Sequence, residues 1–374
     1  MKIVFAPDSF KESMTASQAV AAMRDGVHSA LPDAECVGVP MADGGEGTVD
    51  AVVDALAGER VTVEVSDPLG RPIRAHYGFI PDRSLAVIEM ATASGLELVA
   101  PADRDVLRAS TFGVGQLISS ALDRGATDLL IGLGGSATND GGAGMLTALG
   151  ATLLDADGAP LPPGGAALAQ LDRIDVSGLD ARLADIQIRI ASDVTAPLLG
   201  PGGASAVFGP QKGAGPFEVE TLEAALTRLA VVTEETLGRA RPELPGAGAA
   251  GGLGFALLDF LGAECRPGVE VIAETVGLAK AVVGADWVFT GEGSVDAQTV
   301  LGKTPFGVTQ VARQAGARVV IFAGRVGDDA GVLLDRGVER LVAITVPGTP
   351  IEQALREGPQ SLARAAAEVC RTLS

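Results

Sequence analysis

Short apolar runs alternate with stretches of helical periodicity at both ends of the chain, and this rhythm predicts strand–helix units. Lys2 to Ala6 is an apolar run ending in the polar turn Pro7-Asp8-Ser9-Phe10-Lys11-Glu12-Ser13. Thr15, with Gln18 three residues on, makes a capping box for a helix reaching Leu31. A second run, Glu35 to Val39, leads into Met41-Ala42-Asp43-Gly44-Gly45-Glu46-Gly47 and a helix from Thr48 to Leu56 closed by Gly58. The far end repeats the rhythm. Strand Asp286 to Thr290 precedes a loop over Gly291-Glu292-Gly293-Ser294-Val295-Asp296, and Thr304 caps a helix with Pro305 at its first position. Strand Arg318 to Ala323, helix Asp328 to Leu334, strand Leu341 to Thr345 and one helix from Ile351 to Leu373 follow.

The middle has a different texture. Val61 to Val65 and Ile73 to Ile80 alternate apolar and polar residues around a Pro/Gly turn and predict a hairpin; Leu153 to Leu161 predicts another. Leu85 to Met90, Asp128 to Leu133 and Ile186 to Ala191 are buried strands; Thr111 caps a helix reaching Leu122. Further helices are expected over Ala143 to Leu149, Glu218 to Leu237, Ala249 to Leu261 and Val271 to Val283. Two strand–helix units at one terminus and three at the other make a five-stranded parallel sheet only in combination. The expected architecture is therefore α/β: a discontinuous Rossmann-like domain over 1–60 plus 285–374, with a mixed α/β domain inserted over 61–284 and ligand in the cleft.

Composition narrows the function classes. With 374 residues, 47% hydrophobic and 20% charged, the chain can bury a large core. A formal net charge of −19 repels nucleic acid and anionic membranes, so neither is expected as a partner. Cys36, Cys265 and Cys370 have no metal-ligand spacing, no apolar run is long enough for a membrane span, and the N-terminal run turns polar at Asp8. The reading is a cytoplasmic protein, monomer or homodimer.

The densest chemistry lies in Gly134-Gly135-Ser136-Ala137-Thr138-Asn139-Asp140-Gly141-Gly142, between an apolar strand and a helix. A glycine-rich turn there exposes backbone N–H groups to an anion, and the polar insert adds further ligands for a polyphosphate or its metal. Asn139 or Asp140 would equally serve as a helix cap. Five loop aspartates, Asp8, Asp43, Asp140, Asp193 and Asp296, can hold Mg²⁺ or take a proton from a hydroxyl. The chain uses only five lysines against 23 arginines, yet Lys11, Lys212 and Lys303 all fall in polar or glycine-rich loops, where a compact cation suits phosphate or carboxylate oxygen. His28 and His76 lie outside such loops. Gly302-Lys303-Thr304 is not a P-loop, because Ala297 stands where a glycine is needed. An NAD-dependent hydroxy-acid dehydrogenase is disfavoured by the polar run Thr138-Asn139-Asp140 after Gly132-Leu133-Gly134; a non-catalytic small-acid receptor leaves the aspartates without a role.

Ala6-Pro7-Asp8-Ser9-Phe10-Lys11, Pro40 to Thr48, Gly134 to Gly144, Val207-Phe208-Gly209-Pro210-Gln211-Lys212-Gly213-Ala214 and Thr290 through Thr299 together resemble the signature stretches of the bacterial glycerate kinase family, the type without a P-loop. The match spans nearly the whole chain. It departs at Thr195-Ala196, where an asparagine is expected before Pro197. The resemblance implies ATP- and Mg²⁺-dependent phosphorylation of D-glycerate, usually giving 2-phosphoglycerate, or of another small hydroxy acid, on a Rossmann- or flavodoxin-like domain interrupted by a second one. On this reading Lys11, Asp193 and Asp296 are catalytic, and Asp8, Ser9, Lys11 and Lys303 bind substrate. Gly134, Gly135, Ser136, Thr138, Asn139, Asp140 and Lys212 bind nucleotide, and Asp43 and Asp193 hold Mg²⁺. The residues alone do not rank the aspartates.

Overall fold

The structure, a computed structural model, describes residues 1–373. The strands in chain order are β1 (Lys2–Phe5), β2 (Glu35–Gly38), β3 (Glu59–Ser66), β4 (Pro72–Ile80), β5 (Leu85–Glu89), β6 (Asp128–Gly132) and β7 (Thr152–Leu154). They continue with β8 (Arg173–Asp175), β9 (Gln187–Ala191), β10 (Glu264–Arg266), β11 (Trp287–Val295), β12 (Arg318–Val326) and β13 (Arg340–Ala343). Two compact units result. The first comprises Met1–Asp43, Gly47–Gly58 and the chain from Pro267 on; the second comprises Gly44–Glu46 and Glu59–Arg266.

In the first unit the strand order is β13-β12-β11-β1-β2 and every neighbouring pair is parallel, the five-stranded sheet that the two termini predict. The helix Ala16–Ala30 begins with the expected Thr15–Gln18 capping box, a feature of about 1 kcal/mol. Its buried face (Ala19, Met23, Val27) joins Leu362 and Ala366 of the helix Gly358–Cys370 over Ile3, Phe5, Phe289 and Phe322 of the sheet. Helix on sheet, with apolar side chains alternating along each strand, closes this core.

The second unit carries a six-stranded mixed sheet, β10-β9-β6-β5-β4-β3, in which β3, β4 and β5 are antiparallel neighbours and the rest parallel. The hairpin read at 61–80 is β3–β4. The one read at 153–161 is a short hairpin: Asp155 N donates to Ala159 O, Leu161 N donates to Leu153 O, and Leu154 and Pro160 form an antiparallel bridge; β7 pairs besides with β8, also antiparallel, which lacks a recognisable apolar run of its own.

Other departures have local causes. The helix expected over 351–373 is two, Ile351–Arg356 and Gly358–Cys370, because Pro359 lacks the N–H that would continue the first. The helix expected over 271–283 breaks at Gly277, which is left-handed at φ 74°. The largest difference is β11, which runs through the expected loop to Val295, because β12 continues beside it to Val326 and completes the hydrogen-bond ladder. Glu292 therefore stands on a strand.

Candidate active site

Between β1 and β11 the sheet of the first unit changes winding direction: β1 leads to β2 on one side, β11 to β12 and β13 on the other. This is the flavodoxin-type order, in which the carboxyl ends of the two strands open a ligand crevice. Asp8 lies three residues past the end of β1, and its N–H donates to Gly291 O at 2.9 Å, so the chain stays aligned with β11 beyond the strand proper. Its carboxylate accepts from Ser9 N at 2.6 Å and Thr304 Oγ1 at 2.5 Å. The expected cap at Thr304 is thus diverted: Lys303 is the N-cap residue, Pro305 still sits in the first turn, and the Thr304 hydroxyl holds Asp8.

Glu292 lies at the carboxyl end of β11. Its Oε1 accepts from Thr299 Oγ1 at 3.4 Å and faces Lys303 Nζ at 3.7 Å. Only glycine fits at the preceding position, since a Cβ at Gly291 would come within 2.1 Å of Phe322 O. Burial pushes Glu292 up to about 7; the Lys303 ammonium opposes the shift, and the carboxylates of Asp8 and Asp43 add to it. Burial followed by Asp43 likewise raises Asp8 to about 6, against the hydrogen bonds from Thr304 and Ser9. Asp8, Asp43 and Glu292 therefore share one electrostatic environment, with Lys303 as the cation against Glu292.

Lys11 is exposed on a tight loop in which Phe10 and Met14 exchange backbone hydrogen bonds, with Glu12 left-handed at φ 61°. A Cβ at Gly293 would lie 3.7 Å from Lys11 N, which puts this loop beside the end of β11. Asp296, by contrast, is occupied as a helix cap, accepting from Gln298 N at 2.8 Å while Thr299 completes a capping box. Asp193 is exposed beyond β9 in the second unit.

The glycine-rich loop follows β6 in the second unit, and its two ends differ. Gly134 and Gly135 are exposed; Thr138, Asn139 and Asp140 are fully buried and Ser136 nearly so. Asp140 accepts from Thr111 N and Oγ1 (2.8 and 2.9 Å) and from Gly142 N and Gly144 N (3.2 and 3.1 Å). It serves the helix start, the alternative role read for it, and Thr111 is spent on holding it instead of capping its own helix. Lys212 is buried, and its Nζ donates to Thr138 O at 2.7 Å. Burial lowers it to about 7, opposed by Asp140, whose own carboxyl burial raises. The side chains of Thr138, Asn139, Asp140 and Lys212 are thus turned into the protein, while Gly134 and Gly135 are exposed.

Sequence reasoning missed Glu292 and Thr304. The signal for Glu292 was present: a carboxylate flanked by Gly291 and Gly293 directly after an apolar strand. The donor set at the crevice is carboxylate oxygen, which suits a hard divalent cation held jointly with phosphate oxygens. Among the described residues no three His, Cys, Asp or Glu side chains are disposed to hold a metal by themselves, and no helix is long and apolar enough to cross a membrane.

An α/β enzyme with a carboxylate- and lysine-lined crevice at a flavodoxin-type switch point is the class that this fold and site define. The family model described as "Glycerate kinase family" matches residues 3–374. A glycerate kinase of Bacillus subtilis (strain 168) is 46% identical over 373 residues, covering 100% of this chain and 98% of that relative. A glycerate 2-kinase of Escherichia coli (strain K12) is 45% identical over 374 residues, again covering 100% and 98%. A crystal structure from Salmonella typhimurium LT2, of a protein provisionally called glycerate kinase 2, superposes with a TM-score of 0.91 at 46% identity, covering 100% of this chain and 98% of that one. The chain belongs to the glycerate kinase family.

Proposed function

We propose that the protein transfers the γ-phosphoryl group of ATP to the C2 hydroxyl of D-glycerate, giving 2-phosphoglycerate and ADP, as a cytoplasmic monomer or homodimer without nucleic-acid or membrane partners. The observation that carries this reading is the crevice between β1 and β11, where Glu292 and Asp8 lie together with Lys303 against Glu292. The names of the relatives supply the substrate class.

Glycerate brings a carboxylate into an acidic protein and needs a local cation; Lys11 and Lys303 supply it. With the carboxylate clamped, the C2 hydroxyl faces the Glu292 and Asp8 carboxylates. Its oxygen attacks the γ-phosphorus, the bond from that phosphorus to the bridging oxygen of ADP breaks, and the hydroxyl proton passes to Glu292. A carboxylate titrating near neutrality is matched to that transfer. Asp43 or Asp193 would hold Mg²⁺, which would supply charge neutralisation for the transferring group. Gly134 and Gly135 offer their backbone to the nucleotide phosphates.

Coupling the reaction to enolase tests the regiochemistry. Phosphoenolpyruvate is expected to form without added phosphoglycerate mutase; absolute dependence on the mutase would put the phosphoryl group on C3 and refute the clamp. Lysine placement gives a second expectation. Lys11→Ala and Lys303→Ala are each expected to lower kcat/KM at least about tenfold, the loss of one charge-assisted contact, while Lys280→Ala, on an exposed helical position, changes it little. Equal losses at all three positions would remove the assignment of Lys11 and Lys303.

A further inference from the structure

The buried end of the glycine-rich loop is built with a lysine only 2% exposed. Lys212 roots in the short turn Pro210–Lys212, closed by Gly213 at φ 98°, and its side chain runs inward to a single hydrogen bond with the carbonyl of Thr138. The same segment of chain holds the loop a second time: Ser205, in the helix Ala204–Phe208, accepts from Asn139 Nδ2 at 3.1 Å. On the opposite side Gly141 N donates to Gly251 O at 3.0 Å. Gly251 is left-handed at φ 67°, and a Cβ there would lie 2.0 Å from Thr138 O, so the brace admits only glycine. The exposed end is tied down by Leu96 N to Gly135 O and Ala137 N to Ser94 O.

We propose that Lys212 is a positioning residue of the nucleotide site: by donating to the Thr138 carbonyl it fixes the path of the loop, so that Gly134 and Gly135 present their backbone N–H groups in one arrangement, and it does not itself touch phosphate. This rests on the reading of that loop as the nucleotide seat. A lysine is suited to the task, because its long apolar stem lies in the core while the ammonium reaches the Thr138 carbonyl. Its burial beside Asp140 supports the assignment, since a cation 2% exposed has no surface to offer a phosphate.

The test uses the full-length protein, Lys212→Met, Lys212→Gln, which keeps an N–H donor without the charge, and ADP with Mg²⁺ as the probe. Amide hydrogen exchange across 134–144 and ADP affinity are measured for each. In Lys212→Met the loop amides of the free protein should exchange faster and ADP should bind at least about tenfold more weakly, with partial recovery of both in Lys212→Gln. Weaker binding with unchanged exchange would mean direct contact with the nucleotide and overturn the proposal. Faster exchange with unchanged affinity would leave Lys212 a core residue only and overturn it equally, as would failure of both variants to fold. The underlying reading fails separately: in that case ADP gives the wild-type loop no added protection.

Discussion

Glu292→Gln is expected to fold normally and to lose about 10²-fold or more in kcat/KM for glycerate, the usual contribution of a positioned proton acceptor. Glutamine keeps the shape and still accepts from Thr299, but takes no proton from the substrate hydroxyl. The same variant has a stability signature of opposite sign. Glu292 titrates at about 7 in the folded protein and near its ordinary value of 4.5 in the unfolded chain. The folded state therefore binds the extra proton, and the stability this group contributes is intact below about 4.5 and lost as pH rises through about 7. Glutamine carries no such loss, so the Tm of Glu292→Gln, measured without ligand or Mg²⁺, should gain on the wild type between about pH 5 and pH 8. An inactive variant with no pH-dependent gain would mean that the carboxyl is not strained in the crevice; full activity would remove Glu292 from the proton transfer.

Asp140→Ala is expected to give the largest loss of stability, about 3–5 kcal/mol, read as a fall in the urea midpoint or as loss of soluble protein. Alanine leaves four donors, on Thr111, Gly142 and Gly144, without their acceptor. It also leaves the buried Lys212 ammonium without the carboxylate that opposes its desolvation. Each orphaned buried donor costs about 1–3 kcal/mol, and total stabilities are commonly 5–15 kcal/mol, so the variant lies near the limit of folding. Asp140→Asn should be milder, because an amide oxygen still serves part of the donor set. An unchanged urea midpoint with lost activity would assign Asp140 to ligand binding instead, as its place in a polar glycine-rich loop first implies.

The sequence by itself determined the parallel sheet of the first unit, because its strands are short apolar runs bounded by turns and caps, a pattern that survives without knowledge of neighbours. The Thr15–Gln18 box and the β3–β4 hairpin were legible for the same reason: their hydrogen bonds close between residues near in sequence. So was the set of glycine-flanked polar loops from which the site is drawn. What only the tertiary structure decided was the assignment of each polar group, since that depends on burial and on partners far along the chain. Thr304 reaches Asp8 across 296 positions, Thr111 reaches Asp140 across 29, and Lys212 reaches Thr138 across 74. Asp296 and Asp140 stand in equally polar loops, yet one caps an exposed turn and the other sits in the core. The glycine-flanked carboxylate of Glu292 was legible but its place on a strand was not, because β11 persists to Val295 only through pairing with β12, an interaction invisible to local pattern. Local periodicity fixes elements through contacts of a few residues, whereas the charge state and role of a side chain are set by desolvation and by neighbours that only the folded chain supplies.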